Sequence, residues 1–270
     1  MGPADAALVG GAGLLAGAVN AIAGGGTLIA FPALLVTGLP ALTANITSSV
    51  GLLTGYAGGA LGYRRELADQ VERLRVLGPP VVLGGIIGAV VLLATPSAGF
   101  RSAVPYLVLA SCLLLAAQTR LGALVARRRA TATGGTPADG TTPAPPPRAG
   151  GEVVTWPTRL GVLLAGVYGS YFGAGLGVLL LGVLGILLAD DLQRTNALKT
   201  LLAFGVNAVG VVVFLVTAKV AWGYAGILVV TSLIGGIAGA RIARRLRPGP
   251  LRAAVITLGV TVAIVLIVRG

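Results

Sequence analysis

The sequence predicts an all-α polytopic membrane protein built from two inverted five-segment repeats, with about 8–10 membrane segments, two of them short half-helices or re-entrant arms. Three observations predict it. The chain of 270 residues is 56% hydrophobic and only 10% charged, with a mean hydropathy of +0.94, more apolar surface than a water-soluble domain can hide. Long stretches (residues 6 to 63, 76 to 100 and 102 to 119) contain no Lys, Arg, Asp or Glu. Finally, related motifs occur in the same order on either side of a Pro/Gly/Thr-rich stretch.

Charges, prolines and glycines cut the chain into apolar segments. The first, 6–23, ends in "AIA", which imitates a signal-peptidase site, but the earliest charge is Asp5 rather than a basic cluster, so the run reads as a retained span. The second, 27–39, opens after "GGG" at 24 to 26 and contains Pro32; it is too short to cross a hydrocarbon core of about 30 Å. The third, 43–62, begins with the polar "TANITSS". "RRELADQVERLR" at 64 to 75 reads as a cytoplasmic, membrane-surface helix or loop, and segments 76–95 and 101–118 complete the first repeat, placed at 1–126.

Residues 127–155 hold almost no large apolar side chains and read as a flexible cytoplasmic linker. The second repeat, 156–270, contains segments 158–173, 176–189, 195–217, 222–240 and 251–268, of which 176–189 is again short. "LLAG" at 14 to 17 recurs at 163 to 166, each leading into a glycine cluster, "GGG" or "GAGLG" at 173 to 177. "TANITSSV" at 43 to 50 then faces "RTNALKTL" at 194 to 201.

Charge supports the count. The basic residues are all Arg except Lys199 and Lys219. Ten embedded segments with the N-terminus outside place the Arg clusters at 64–75, 120–159 and 241–252 on the cytoplasmic side, as positive-inside topology requires. An eight-crossing arrangement separates the first cluster from the last. The net charge of +12 is therefore a topology signal rather than a nucleic-acid footprint. With no His and a single Cys, Cys112, the chain holds no disulfide, Cys/His metal site or cofactor signature, and no residues for an intramembrane enzyme. Small-xxx-small pairs such as Gly13 and Gly17, Gly84 and Gly88, or Gly235 and Gly239 read as helix-packing contacts.

The glycine clusters carry the candidate site. Gly24, Gly25 and Gly26 free the backbone to turn inside the membrane and start a short helix at Thr27, whose first amides form an anion-attracting end. Gly173, Gly175 and Gly177 can do the same from the opposite side. On helical periodicity Asn45, Ser48, Ser49, Leu52 and Tyr56 share one face, and Asn196, Lys199, Thr200, Ala203 and Asn207 share the corresponding face of the other repeat. Lys199 is the only basic group well inside an apolar segment, which points to a small oxyanion. The plainer alternatives are that the amides and hydroxyls join helices, while Lys199 snorkels or pairs with Asp190 or Asp191.

The stretch "AGAVNAIAGGGTLIAFPALLVTGLPALTANITSSVGLLTGYAGGALGYRREL" resembles the first repeat of the sulfite exporter TauE/SafE family, and "NALKTLLAFGVNAVGVVVFLV" resembles its second. The resemblance covers nearly all of the chain outside the linker. It implies a multi-pass carrier of the bacterial inner membrane that moves sulfite, sulfonates or related small organosulfur or organic anions. Ala174 and Leu176 interrupt the second glycine cluster, a departure that leaves the half-sites unequal. The expected function is secondary transport by alternating access, driven by a proton or sodium gradient with no coupling group identified. A passive anion channel and a non-transporting scaffold subunit stay open, as does homo-oligomerisation.

Overall fold

The computed structural model describes residues 1–22, 24–133, 154–188, 192–242 and 248–269. Among them there is no strand. The elements are α1 (Pro3–Ile22), α2 (Thr27–Val36), α3 (Ala41–Gly62), α4 (Arg64–Leu67), α5 (Val71–Ala94), α6 (Ser97–Thr133), α7 (Trp156–Tyr171), α8 (Leu176–Leu187), α9 (Leu192–Thr217), α10 (Trp222–Ile242) and α11 (Pro248–Arg269). A short 3₁₀ turn, Ala68–Gln70, joins α4 to α5. Among the described residues six helices are long and apolar enough to cross a membrane, and α2 and α8 are the shorter apolar helices.

Three boundaries differ from the sequence reading for local reasons. α2 stops at Val36 rather than 39, since Gly38 follows with a φ of 84°. α5 starts at Val71 and absorbs the basic "VERLR" run as well as Pro79 and Pro80, so only its upper part is apolar. α6 continues to Thr133, past the linker start placed at 127, because "RRRATAT" lacks Gly and Pro and Arg and Ala favour helix. The rest of the linker, 134–153, lies outside the described residues.

The two halves interlock. α1 packs most extensively on α10, and α5 on α7; α10 also packs on α3, as α5 does on α9, and α6 packs on α11. The first helix of each half therefore leans on the fourth apolar helix of the other. Small residues make this approach feasible. A Cβ added at Gly17 would collide with the Ser232 carbonyl oxygen and come within 2.9 Å of the Gly236 nitrogen, and one at Gly88 would meet the Val167 carbonyl. The Gly84 and Gly88 pair thus sits against α7, and Gly13 and Gly17 against α10. Without a hydrophobic force between helices in lipid, such close backbone contact is a main source of association.

Hydroxyls add cross-links: Thr54 Oγ1 donates to the Val229 carbonyl (2.6 Å) and Ser232 Oγ to the Gly51 carbonyl (2.7 Å). The two kinds of contact should behave differently in thermal unfolding of the detergent-solubilised protein. Ser232→Ala should lower stability by only about 0.6 kcal/mol, whereas Gly17→Leu should prevent α1 from seating on α10 and abolish the cooperative transition. Equal effects would show that backbone approach is not what holds this pair.

Polarity of the bundle follows from contacts between distant segments. Arg64, Arg65 and Arg241 line one cavity, and Gln70 Nε2 donates to the Arg194 carbonyl at 3.1 Å. At the other end the Ala221 amide donates to Thr47 Oγ1 (3.1 Å), and the Tyr224 hydroxyl reaches Asp5 Oδ2 (3.5 Å). Arg241 therefore lies at the same end as Arg64 and Arg65, as ten embedded segments require and the eight-crossing arrangement forbids.

Candidate functional site

Both short helices start inside the bundle, and their starts touch. Gly26 is the residue before α2 and Gly175 the residue before α8. Gly24, Gly173 and Gly175 have φ of 84°, 78° and 82°, a region that disfavours side chains. A Cβ built on Gly24 would lie 2.7 Å from the Gly177 Cα, and one on Gly177 would lie 2.7 Å from the Gly24 Cα. The two glycine turns are thus in backbone contact, and the positive ends of both helix dipoles converge.

Side chains fix each turn. Asn20, 3% exposed on α1, accepts a 2.7 Å hydrogen bond from the Gly26 amide through Oδ1. In the other half the Ala174 carbonyl accepts from the Tyr168 hydroxyl (2.7 Å) and from Ser111 Oγ (3.0 Å). Asn45 Nδ2 donates to the Tyr171 carbonyl at 3.0 Å, tying α3 to the end of α7 just before the second turn.

The turns enclose a polar centre. A Cβ on Gly173 would sit 3.6 Å from Thr27 Oγ1. The buried Tyr56 hydroxyl lies among the side chains of Asn207, Asn20 and Thr27, yet it makes no hydrogen bond of good geometry. Asn20 Nδ2 and Lys199 Nζ are also buried without a hydrogen-bond partner among the described residues, as is Asn45 Oδ1. A neutral buried polar group left unpaired costs about 1–3 kcal/mol, and a charged one more. Of these groups the Asn20 amide and the Tyr56 hydroxyl lie at the centre and can donate, which is what an oxyanion needs.

The residues singled out in the sequence separate into groups. Gly24, Gly26, Thr27, Gly173, Gly177 and Asn207 gather at or beside the meeting of the turns. Gly25 instead faces Leu115 and Val255, and Gly175 faces Ser111 and Leu114 on α6. Ser48 Oγ donates to the Asn45 carbonyl within its own helix (2.8 Å). Asn196 is half-buried, and its carbonyl accepts from Thr200 (2.8 Å). Lys199 is 1% exposed, which overturns the snorkelling alternative. Its pairing with Asp190 or Asp191 falls outside the described residues. It precedes Asn207 by two helical turns, about 12 Å, and so stands between the Arg194 end and the polar centre.

Asn20, Ser111 and Tyr168 were not singled out, and Tyr56 was placed on a face but not in the site. The amide of Asn20 in an otherwise apolar segment, six residues before Gly26, was a readable signal. Tyr168, six residues before Ala174, stands to the second turn as Asn20 does to the first, whereas Ser111 carried no signal, since its carbonyl partner belongs to another segment. Among the described residues no group of His, Cys, Asp or Glu could hold a metal ion.

Comparison with known proteins finds relatives named as membrane transporters. A family model described as "Sulfite exporter TauE/SafE" matches residues 9–266. A "Probable membrane transporter protein" of Haemophilus influenzae (strain ATCC 51907 / DSM 11121 / KW20 / Rd) is 25% identical over 233 residues, 85% of this chain and 82% of the relative. The "Probable membrane transporter protein ORF9" of Sinorhizobium sp is 24% identical over 232 residues, 86% of this chain and 80% of its own. No solved structure matches.

Proposed function

Since the chain belongs to the sulfite exporter TauE/SafE family and is a membrane transporter, we propose that it is a secondary carrier of small anions in the bacterial inner membrane. Sulfite, sulfonates and related organosulfur anions are the substrate class. The observation that carries this reading is the polar centre: two half-helix starts in contact, beside the buried Asn20 amide and Tyr56 hydroxyl, which make no hydrogen bond of good geometry among the described residues. An oxyanion there replaces its lost water with fixed donors and both helix dipoles.

The reciprocal packing of the halves supports an inverted repeat working by alternating access. The centre opens toward one face when one half rocks against the other. The Arg-rich end raises the local anion concentration, Lys199 offers a charge partway along α9, and Asn20, Tyr56 and Asn207 hold the anion at the crossing point. No covalent step is involved, and a proton or sodium gradient supplies the driving force.

Flux of labelled sulfite, a sulfonate panel, sulfate and chloride in proteoliposomes tests this reading, with imposed proton or sodium gradients. Saturable, gradient-sensitive flux of sulfite or a sulfonate is expected. Gradient-independent conductance would replace the carrier by a channel, and absence of any anion flux would leave a scaffold.

A further inference from the structure

At the Arg-rich end, α3 and α10 leave a cavity of about 590 Å³ between them, lined among others by Leu61, Arg64, Arg65, Ile237 and Arg241. On the other side of Leu61 and Arg64 a second, more apolar groove of about 480 Å³ runs along Leu67, Leu201 and Phe204. Leu61, 63% exposed, is the ridge between the two. Arg64 serves both. Apolar walls below a basic rim match an amphiphile, because a soluble anion gains nothing from Leu61 or Ile237.

The rim carries three like charges. Arg64 and Arg65 come from the first half and Arg241 from the second, all three are exposed, and no acidic residue among the described residues lines the cavity with them. A phosphate between their guanidinium groups accepts charge-assisted hydrogen bonds from both halves. Such groups at a helix end are also where anionic headgroups gather.

We propose that this two-lobed groove binds an anionic phospholipid, its phosphate held by Arg64, Arg65 and Arg241 and its acyl chains lying on either side of Leu61. The lipid fastens the two halves at their Arg-rich ends. This site is separate from the polar centre and does not depend on which anion is carried.

The test uses full-length protein purified in a neutral detergent, with thermal unfolding and native mass spectrometry of retained lipid. Phosphatidylglycerol should raise the Tm and remain bound, whereas phosphatidylcholine, inorganic phosphate and glycerol phosphate should do neither. Retention should weaken about fivefold for each Arg changed to Gln at 64, 65 or 241. Arg101→Gln, in a different cavity beside Tyr106 and Leu266, should leave it unchanged. If the triple variant does not fold, Arg241→Gln alone carries the lipid measurement. Equal stabilisation by phosphatidylcholine, reproduction of the effect by inorganic phosphate, or undiminished retention in the variants would each overturn the proposal.

Discussion

Lys199→Met should leave the protein as stable as the wild type or more so, while anion flux falls roughly thirtyfold or further, taking 2–5 kcal/mol as the usual loss when one partner of a buried charge contact is removed. Lys199 is 1% exposed and its Nζ has no partner among the described residues. In the absence of substrate its charge is a cost to the fold, and a thioether of similar length removes that cost without opening a cavity. With substrate, the same charge compensates the anion as it leaves water. Stability and transport therefore move in opposite directions. Thermal unfolding and proteoliposome flux, measured on one preparation, check this. Unchanged flux would exclude Lys199 from the anion path, and loss of both properties would make it a structural residue.

Gly24→Ala should damage both stability and flux more than Gly177→Ala or Gly38→Ala. Two independent penalties coincide there. The φ of 84° costs a side chain about 1–2 kcal/mol, and a Cβ 2.7 Å from the Gly177 Cα adds overpacking of about 1–3 kcal/mol. Controls separate the two. Gly38 has the same φ of 84° but nothing within 4 Å of an added Cβ, so Gly38→Ala carries only the conformational penalty. Gly177→Ala carries only the contact. Unfolding midpoints should place Gly24→Ala lowest, and flux should fail in Gly24→Ala and Gly177→Ala but survive in Gly38→Ala. If Gly38→Ala equalled Gly24→Ala, the contact between the two turns would have no energetic weight.

Much of this molecule was readable before any coordinates. The glycine triplet announced a helix start at Thr27, and α2 begins there. The Arg clusters predicted that 64–75 and 241–252 share a side, and Arg64, Arg65 and Arg241 line one cavity. The small-residue pairs predicted helix contacts, though not which helices. These features are legible because each depends on local chain chemistry or on a one-dimensional rule of membrane insertion.

Other features depended on partners remote in sequence. Asn45 had the composition of a ligand residue, yet its amide donates to the Tyr171 carbonyl. By periodicity Tyr56 is one more member of a helix face, and only the approach of Asn207, Asn20 and Thr27 makes it central. Ser111 matters because it reaches the Ala174 carbonyl, 63 residues further along the chain.

The sequence by itself determined that this chain is a helical membrane protein with chain breaks at its glycine clusters and a basic end. Hydropathy, charge and glycine act through the bilayer and the local backbone, which need no partner. Only the tertiary structure decided that Gly24 meets Gly177 and that Asn20 secures Gly26. It also decided which buried polar groups are already occupied, because satisfaction of a hydrogen bond is a property of pairs that packing alone brings together.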